Sequence, residues 1–483
     1  MNYGNLVRIF AILLMTFSLT NVPPLLVSIW YSDGQSMVWV LSMLGILALG
    51  FVLWLPTMRM QDELSTKEGF VITSLFWLVL AAAGAVPFYN IPELDLSITD
   101  SFFESLSGLT TTGATVISGL DSLPQSILWY RQQLQWLGGL GIVILAVAIL
   151  PMLGVGGMQL YRTEIPGPMK DEKLTPRIAT TAKLLWLIYV AFTLLCALAY
   201  RLAGMPWFDA ITHSFSTVAI GGFSTKDASI GHYDSFAVEM VGVVFMLLAA
   251  ANFALHFSLF RKRSLKQYWR DPEYRFFLGS VAVMVLFTFV ALLFNQHSDW
   301  FTTWRHALFT SVSVHTTAGF GVTDFSGWPT VLPYLMIMAA FFGGCAGSTA
   351  GGIKVIRVVL LLKQGSREIK RLIHPNGVFS IRLGSEKAVP EGVTSAVWGF
   401  FAVYVLVFAA MFFALLATGL DFETTWSVSA SALNNLGPAL GEASSNWASL
   451  NDPAKWILCV GMLLGRLEIF TVLILFSPYF WRQ

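Results

Sequence analysis

Charge is what this sequence has least of. Asp, Glu, Lys and Arg make up 12% of its 483 residues, about half the share of an average soluble globular chain. That excludes an ordinary soluble enzyme. Cysteine is scarcer still: Cys196, Cys345 and Cys459 stand far apart in apolar or Gly-rich surroundings, with no CxxC or CxxxH spacing. Neither a disulfide framework nor a zinc site is expected. The seven histidines are dispersed and none forms HExxH or a comparable set, so a membrane-embedded enzyme such as a lipid-modifying transferase lacks the clustered groups it needs. No nucleic-acid partner is expected either.

What is abundant is apolar: 55% of the residues are hydrophobic and 14% aromatic. Uncharged or nearly uncharged windows long enough to cross a bilayer cover 9–30, 38–57, 70–92, 132–161, 184–200, 240–260, 276–298, 325–353, 392–420 and 454–481, the last interrupted by Arg466 and Glu468. The expectation is an all-α membrane protein of about ten transmembrane helices. The first stretch, after Arg8, is too long for a signal peptide, lacks a small-residue cleavage site and is followed by a second span, so it reads as a retained helix. With the amino terminus placed inside, the inner loops and both ends hold 23 of the 29 Lys and Arg residues, as the positive-inside rule requires. Only Arg131, Arg201, Lys226, Arg305 and Lys455 fall outside, and Arg466 lies within a span. Acids lean outward, among them Asp95, Asp100, Asp121, Asp209, Asp234, Asp299, Asp324, Asp421 and Glu442. Together they give the outer mouth a negative field, although any one of them is accounted for by loop solvation.

Several outer connections, such as 101–116 and 208–223, are too long for turns and too apolar for solvated loops, and read as re-entrant. Four of them carry one spacing, S-x-S-x5-G: Ser105, Ser107 and Gly113; Ser214, Ser216 and Gly222; Ser311, Ser313 and Gly319; Ser429, Ser431 and Gly437. A single S-x-S or glycine is ordinary helix packing. Four in register, each between two spans, point instead to backbone lining a cavity, because irregular backbone at membrane depth is tolerated only there or buried in protein. The unit is helix, re-entrant pore helix and loop, helix. The division that follows is a two-helix segment at 1–60 and repeats at 61–165, 166–265, 266–385 and 386–483. A pore helix aims its carbonyl end inward, favouring a cation, and the glycine lets the following carbonyls face one axis. The candidate lining is Thr110, Thr111, Thr112 and Gly113; Ala219, Ile220, Gly221 and Gly222; Thr316, Thr317, Ala318 and Gly319; Asn434, Asn435, Leu436 and Gly437. These side chains differ widely. What they share is uncharged carbonyl oxygen, suited to a monovalent cation rather than to calcium.

The sequence resembles the Trk/Ktr/HKT superfamily of potassium transporters, specifically the TrkH-type pore subunits of bacterial Trk uptake systems. The resemblance runs along essentially the whole chain. It is carried by TTTGA at Thr110–Ala114, STVAIGGFST at Ser216–Thr225, HTTAGF at His315–Phe320, NNLGPA at Asn434–Ala439 and GGCAGSTAGGIK at Gly343–Lys354. It implies a four-repeat pore arranged like a potassium channel within one chain, in the bacterial inner membrane with both termini cytoplasmic. K+ is then the transported ion, with no covalent cofactor. Glycine at all four filter positions implies preference for potassium; relatives with serine at the first tend toward sodium. The resemblance further implies a homodimer with one pore per protomer, and a cytoplasmic TrkA-type ring of regulatory subunits through which alone nucleotide acts. A potassium symporter coupled to protons or sodium is the alternative, but Glu468 is the one obvious acid it would have in the path.

The eighth span is interrupted by Gly343, Gly344, Cys345, Ala346, Gly347, Ser348, Thr349, Ala350, Gly351 and Gly352, ahead of Lys354. This run is poor in helix propensity. It reads as a gating loop beneath the third filter segment or as a small-residue packing face. Arg466 and Glu468 place charge inside the last span, so both should face protein or water. Either they form a structural pair, possibly with Lys354, or Arg466 is an electrostatic barrier and Glu468 holds another basic partner. Asn252 and His256, four apart on the sixth span, read as a satisfied polar contact on one helix face.

Overall fold

The computed structural model describes residues 3–59, 65–139, 141, 178–295, 299–329, 331–384, 388–467 and 469–482. Among these the regular elements are helical, apart from one isolated bridge between Arg382 and Ala388. A leading segment holds α1 (Tyr3–Ser18), α2 (Val22–Tyr31) and α3 (Ser36–Trp54). Pro23 and Pro24 open α2, where a missing N–H breaks no helical bond. The stretch expected as the first repeat holds α4 (Thr66–Asn90), α5 (Ile98–Leu109) and α6 (Gln125–Gly139). The second holds α7 (Ile178–Leu202), α8 (Trp207–Ala219), α9 (Phe236–Ala249) and α10 (Phe253–Lys262). The third holds α11 (Pro272–Asn295), α12 (Trp300–His315), α13 (Leu332–Ala339) and α14 (Val355–Ile373). The fourth holds α15 (Glu391–Leu416), α16 (Phe422–Asn434), α17 (Asp452–Arg466) and α18 (Ile469–Leu473).

Six helices among the described residues are long and apolar enough to span, and two bent pairs bring the number to eight. The bends are 94° between Phe236–Ala249 and Phe253–Leu259, and 113° between Asp452–Arg466 and Ile469–Phe476. Of the other two expected spans, 132–161 passes out of the described residues after Gly141. The span expected at 325–353 is instead the short α13 followed by non-helical backbone up to α14, because its glycines cannot hold a helix against the alternatives open to them.

The short helices α5, α8, α12 and α16 carry the four S-x-S pairs, and they lie inside the bundle. Each starts at a polar cap where its first free N–H groups need partners: Ser97 accepts from Asp100 N, Asp299 from Phe301 N and Asp421 from Thr424 N. Only α8 starts differently, at Pro206. Each then packs against a helix of the preceding repeat, α8 on α6, α12 on α9, α16 on α13, and α5 on α17. The last of these contacts closes the circle.

Ion pairs, the first of them fully buried, lock adjacent elements together. Arg131 Nε meets Glu104 Oε1 at 2.8 Å with both side chains essentially inaccessible. The guanidinium also donates to Ser224 O and Thr115 Oγ1 and lies 4.2 Å over the Phe223 ring, while Glu104 accepts from Val116 N. Arg305 joins Glu239 and Asp234, Lys455 meets Asp100 at 2.6 Å, and Lys226 meets Asp121 at 3.3 Å. Breaking a buried pair on one side strands the other charge. Glu104→Ala is therefore expected to destabilise the protein by about 3–5 kcal/mol, and Glu104→Leu with Arg131→Met by much less. Thermal unfolding in detergent compares them; equal losses in the single and double variants would contradict this account.

Candidate functional site

The four loops after the pore helices share one backbone conformation. Thr111, Ile220, Thr317 and Asn435 have φ of 55°, 56°, 65° and 53°, and Gly113, Gly222, Gly319 and Gly437 have 78°, 81°, 80° and 96°. The hydrogen bonds repeat as well. Thr112, Gly221, Ala318 and Leu436 donate their N–H to Ser107, Ser216, Ser313 and Ser431 carbonyls at 2.8–2.9 Å. Thr111, Ile220, Thr317 and Asn435 donate to Gly108, Thr217, Val314 and Ala432. Each pore helix thus ends in the six-to-one and five-to-two bonds of a Schellman motif. Glycine or asparagine usually occupies the left-handed position of that motif, but here three of the four residues are β-branched. Such strain costs about 1–3 kcal/mol per residue and persists only where the surroundings impose it.

The second serine of each S-x-S therefore has a structural task in its carbonyl. Its hydroxyl adds to this in two repeats, where Ser107 donates to Ala114 O at 2.6 Å and Ser313 to Phe320 O at 2.8 Å. The first N–H groups of each loop are thus turned back to the helix ends. Among the described residues no protein donor meets the carbonyl oxygens of Thr112, Gly113, Gly222, Ala318, Gly319, Leu436 or Gly437.

The loops also close on one another in order. A Cβ at Gly113 would collide with the Gly221 carbonyl, one at Gly222 with that of Ala318, one at Gly319 with that of Leu436, and one at Gly437 with that of Thr112. Two constraints thus act on each glycine, its φ and its neighbour. The cycle brings Gly113, Gly222, Gly319 and Gly437 each against a carbonyl of the next loop.

Gly343–Lys354 lies against the helix ends of that ring. Thr349 Oγ1 donates to Val218 O at 3.0 Å, Thr317 Oγ1 accepts from Gly351 N at 2.7 Å, and Gly352 N donates to Asn434 O at 3.2 Å. These contacts reach repeats two, three and four. Arg466 reaches the first: its guanidinium donates to Thr349 O (3.1 Å), Gly139 O (2.9 Å), Gly138 O and Thr111 Oγ1. A Cβ at Gly351 would collide with Asn434 O, so the close approach of the two backbones requires glycine there. Glu273 Oε1 accepts from both Ala346 N (2.6 Å) and Ile356 N (3.1 Å), tying the two ends of the segment together. Lys354 Nζ donates to Ala350 O, and Cys345 N to Ala250 O. Glu468 lies outside the described residues.

Asn252 and His256 do not share a continuous helix face, because the sixth span breaks at Asn252, which caps α10 by accepting from Ala254 N. His256 hydrogen-bonds with Tyr268 Oη and Leu248 O, a satisfied polar contact as expected. The outward acids make a weaker field than their number suggests. Asp100, Asp121 and Asp234 are in ion pairs, and Asp299 and Asp421 cap helices. The Thr424 hydroxyl and amide hold the Asp421 carboxyl below its ordinary value. Sequence reasoning passed over Glu273, an acid immediately before an apolar run, and Gln132 and Gln135, polar groups at the start of an expected span.

Comparisons with known proteins agree along the whole length. A family model described as TrkH, cation transport protein, matches residues 35–482. A curated protein of Halomonas elongata, "Trk system potassium uptake protein TrkH", is 56% identical over 483 residues covering 100% of both chains. Its namesake in Escherichia coli K12 is 54% identical over 484 residues, again covering 100% of both. The crystal structure of the potassium transporter TrkH from Vibrio parahaemolyticus superposes with a TM-score of 0.90 at 50% identity, covering 100% of each chain.

Proposed function

The chain belongs to the TrkH family of cation transport proteins, and from that premise we propose that it takes potassium up across the bacterial inner membrane through the axis of its four loops. The observation that carries this reading is the closed cycle in which each loop glycine abuts the next loop's carbonyl. Four uncharged carbonyls at one level replace the water shell of a monovalent cation, and successive levels allow one ion to displace the next. No covalent step is involved. The buried carbonyl ends of α5, α8, α12 and α16 add the negative end of their dipoles below the ring.

Gly343–Lys354 is the gate in this reading. It obstructs the path beneath the ring, and Arg466 both fastens it and places a positive charge where a cation must pass. A cytoplasmic nucleotide-binding regulatory subunit of the TrkA type releases it. The names of the relatives support that partnership, since each is one protein of a Trk system. The protein is a homodimer with a pore in each protomer, and both termini are cytoplasmic, as the distribution of Lys and Arg supports.

Gly113→Ser tests the ring. The added side chain meets both an unfavourable φ and the Gly221 carbonyl, so the K+ over Na+ permeability ratio should fall about tenfold. Reversal potentials in mixed ions measure it, and an unchanged ratio would remove Gly113 from the lining. Shortening the glycine-rich run tests the gate. Potassium flux per correctly inserted molecule should rise without any cytoplasmic partner, whereas a packing face predicts low yield and no gain in flux.

Arg466→Ala should raise flux by about tenfold or more, because a fixed charge in a low-dielectric path repels a cation by several kcal/mol at close range. The rise should persist when Glu468 is also replaced. Loss of insertion in both single variants would show a structural pair instead.

A further inference from the structure

Three of the four loops carry a side chain at the position before the ring glycine, namely Thr112, Ala318 and Leu436, and the second loop carries none, since Gly221 precedes Gly222. The missing volume is not empty. A Cβ at Gly221 would fall on the terminal amide of Gln135, which arrives from α6 of the neighbouring repeat. Gln135 is wholly buried. Its Nε2 donates to Gly221 O at 2.6 Å, and its Oε1 accepts from Phe223 N at 3.1 Å. One amide therefore fastens the backbone on both sides of Gly222. Gly221 itself does not have positive φ, so its lack of a side chain serves the space that Gln135 needs rather than a turn.

We infer that Gln135 is a positioning residue for ion selection: it holds the second strand of the ring in register by taking the place of the side chain that Gly221 lacks. Two consecutive glycines leave the backbone more freedom than any other pair. A carbonyl that selects between ions by direction and spacing needs that freedom removed. The amide supplies both a wall and two bonds, and a primary amide is the side chain that donates and accepts from one plane. The inference rests on the proposal that the four loops line the ion path.

The experiment uses the full-length protein in planar bilayers, with reversal potentials in mixed K+ and Na+. Gln135→Met keeps the length of the side chain and removes both bonds. It should lower the permeability ratio about fivefold or more, the order set by loss of one to two buried hydrogen bonds, while potassium flux continues. Gly221→Ala should lower it too, by pushing the amide aside. Gln135→Ala combined with Gly221→Ala should recover more selectivity than either single change, because the new methyl then occupies space that the amide has left.

An unchanged ratio in Gln135→Met, or a double variant no better than the worse single one, would overturn the inference. Reduced membrane yield with a normal ratio would do the same, since it marks a purely structural side chain. Gly113→Ser separates the two levels of the argument. If it alters the ratio and Gln135→Met does not, the lining stands and the role of Gln135 falls; if neither does, the lining falls as well.

Discussion

Backbone that leaves the helical form inside hydrocarbon has to find its hydrogen bonds within the protein. The four loops meet that demand by sending their N–H groups back to the ends of the short helices, as in Thr112 to Ser107 and Leu436 to Ser431. Everything else at the centre follows from this choice. Once the donors are spent behind the loop, the carbonyls are left in front of it. The short helices must then be deeply buried so that their ends sit at the axis, which is why long helices enclose them. The Gly343–Lys354 segment obeys the same rule. Its glycines surrender regular structure, and Ala250, Asn434, Thr317 and Glu273 provide the partners that its amides would otherwise lack.

Much of this was legible in the chain, for identifiable reasons. A glycine that must take positive φ beside a neighbour's carbonyl leaves a mark at a fixed distance from its serine, so the four repeats could be aligned on Gly113, Gly222, Gly319 and Gly437. The left-handed residues two places earlier left none. Thr111, Ile220 and Thr317 are of kinds that avoid that conformation, and only the closing bonds of the helix explain why they accept it. The glycine-rich run was readable in two ways because small residues serve both close helix packing and mobile backbone. The contact between Gly351 and Asn434 O shows glycine serving a close backbone approach, and it joins residues far apart in sequence.

Charges were legible by side but not by partner. Arg131, Lys226, Arg305 and Lys455 looked like exceptions to the distribution of positive residues. In the structure each one faces an acid, and the pair of Lys455 with Asp100 joins the last repeat to the first. Arg201 instead donates to Met205 O and lies over Trp207. Arg466 differs from all of these. Its guanidinium donates to three main-chain carbonyls, so part of its charge is held by dipoles of the Gly343–Lys354 segment and of α6.

That the four loops belong to one polypeptide, each pressing its glycine on the next, has an evolutionary side. In an assembly of four identical chains every substitution appears in all quadrants at once, and selectivity changes in a single large step. Here a codon change touches one quadrant and leaves three templates in place. The ring already shows the result, with isoleucine and a borrowed glutamine amide at one corner, asparagine at another, and threonine at the remaining two. Such a pore can be retuned by quarter turns, and descendants can drift toward a different ion without passing through a form that selects none.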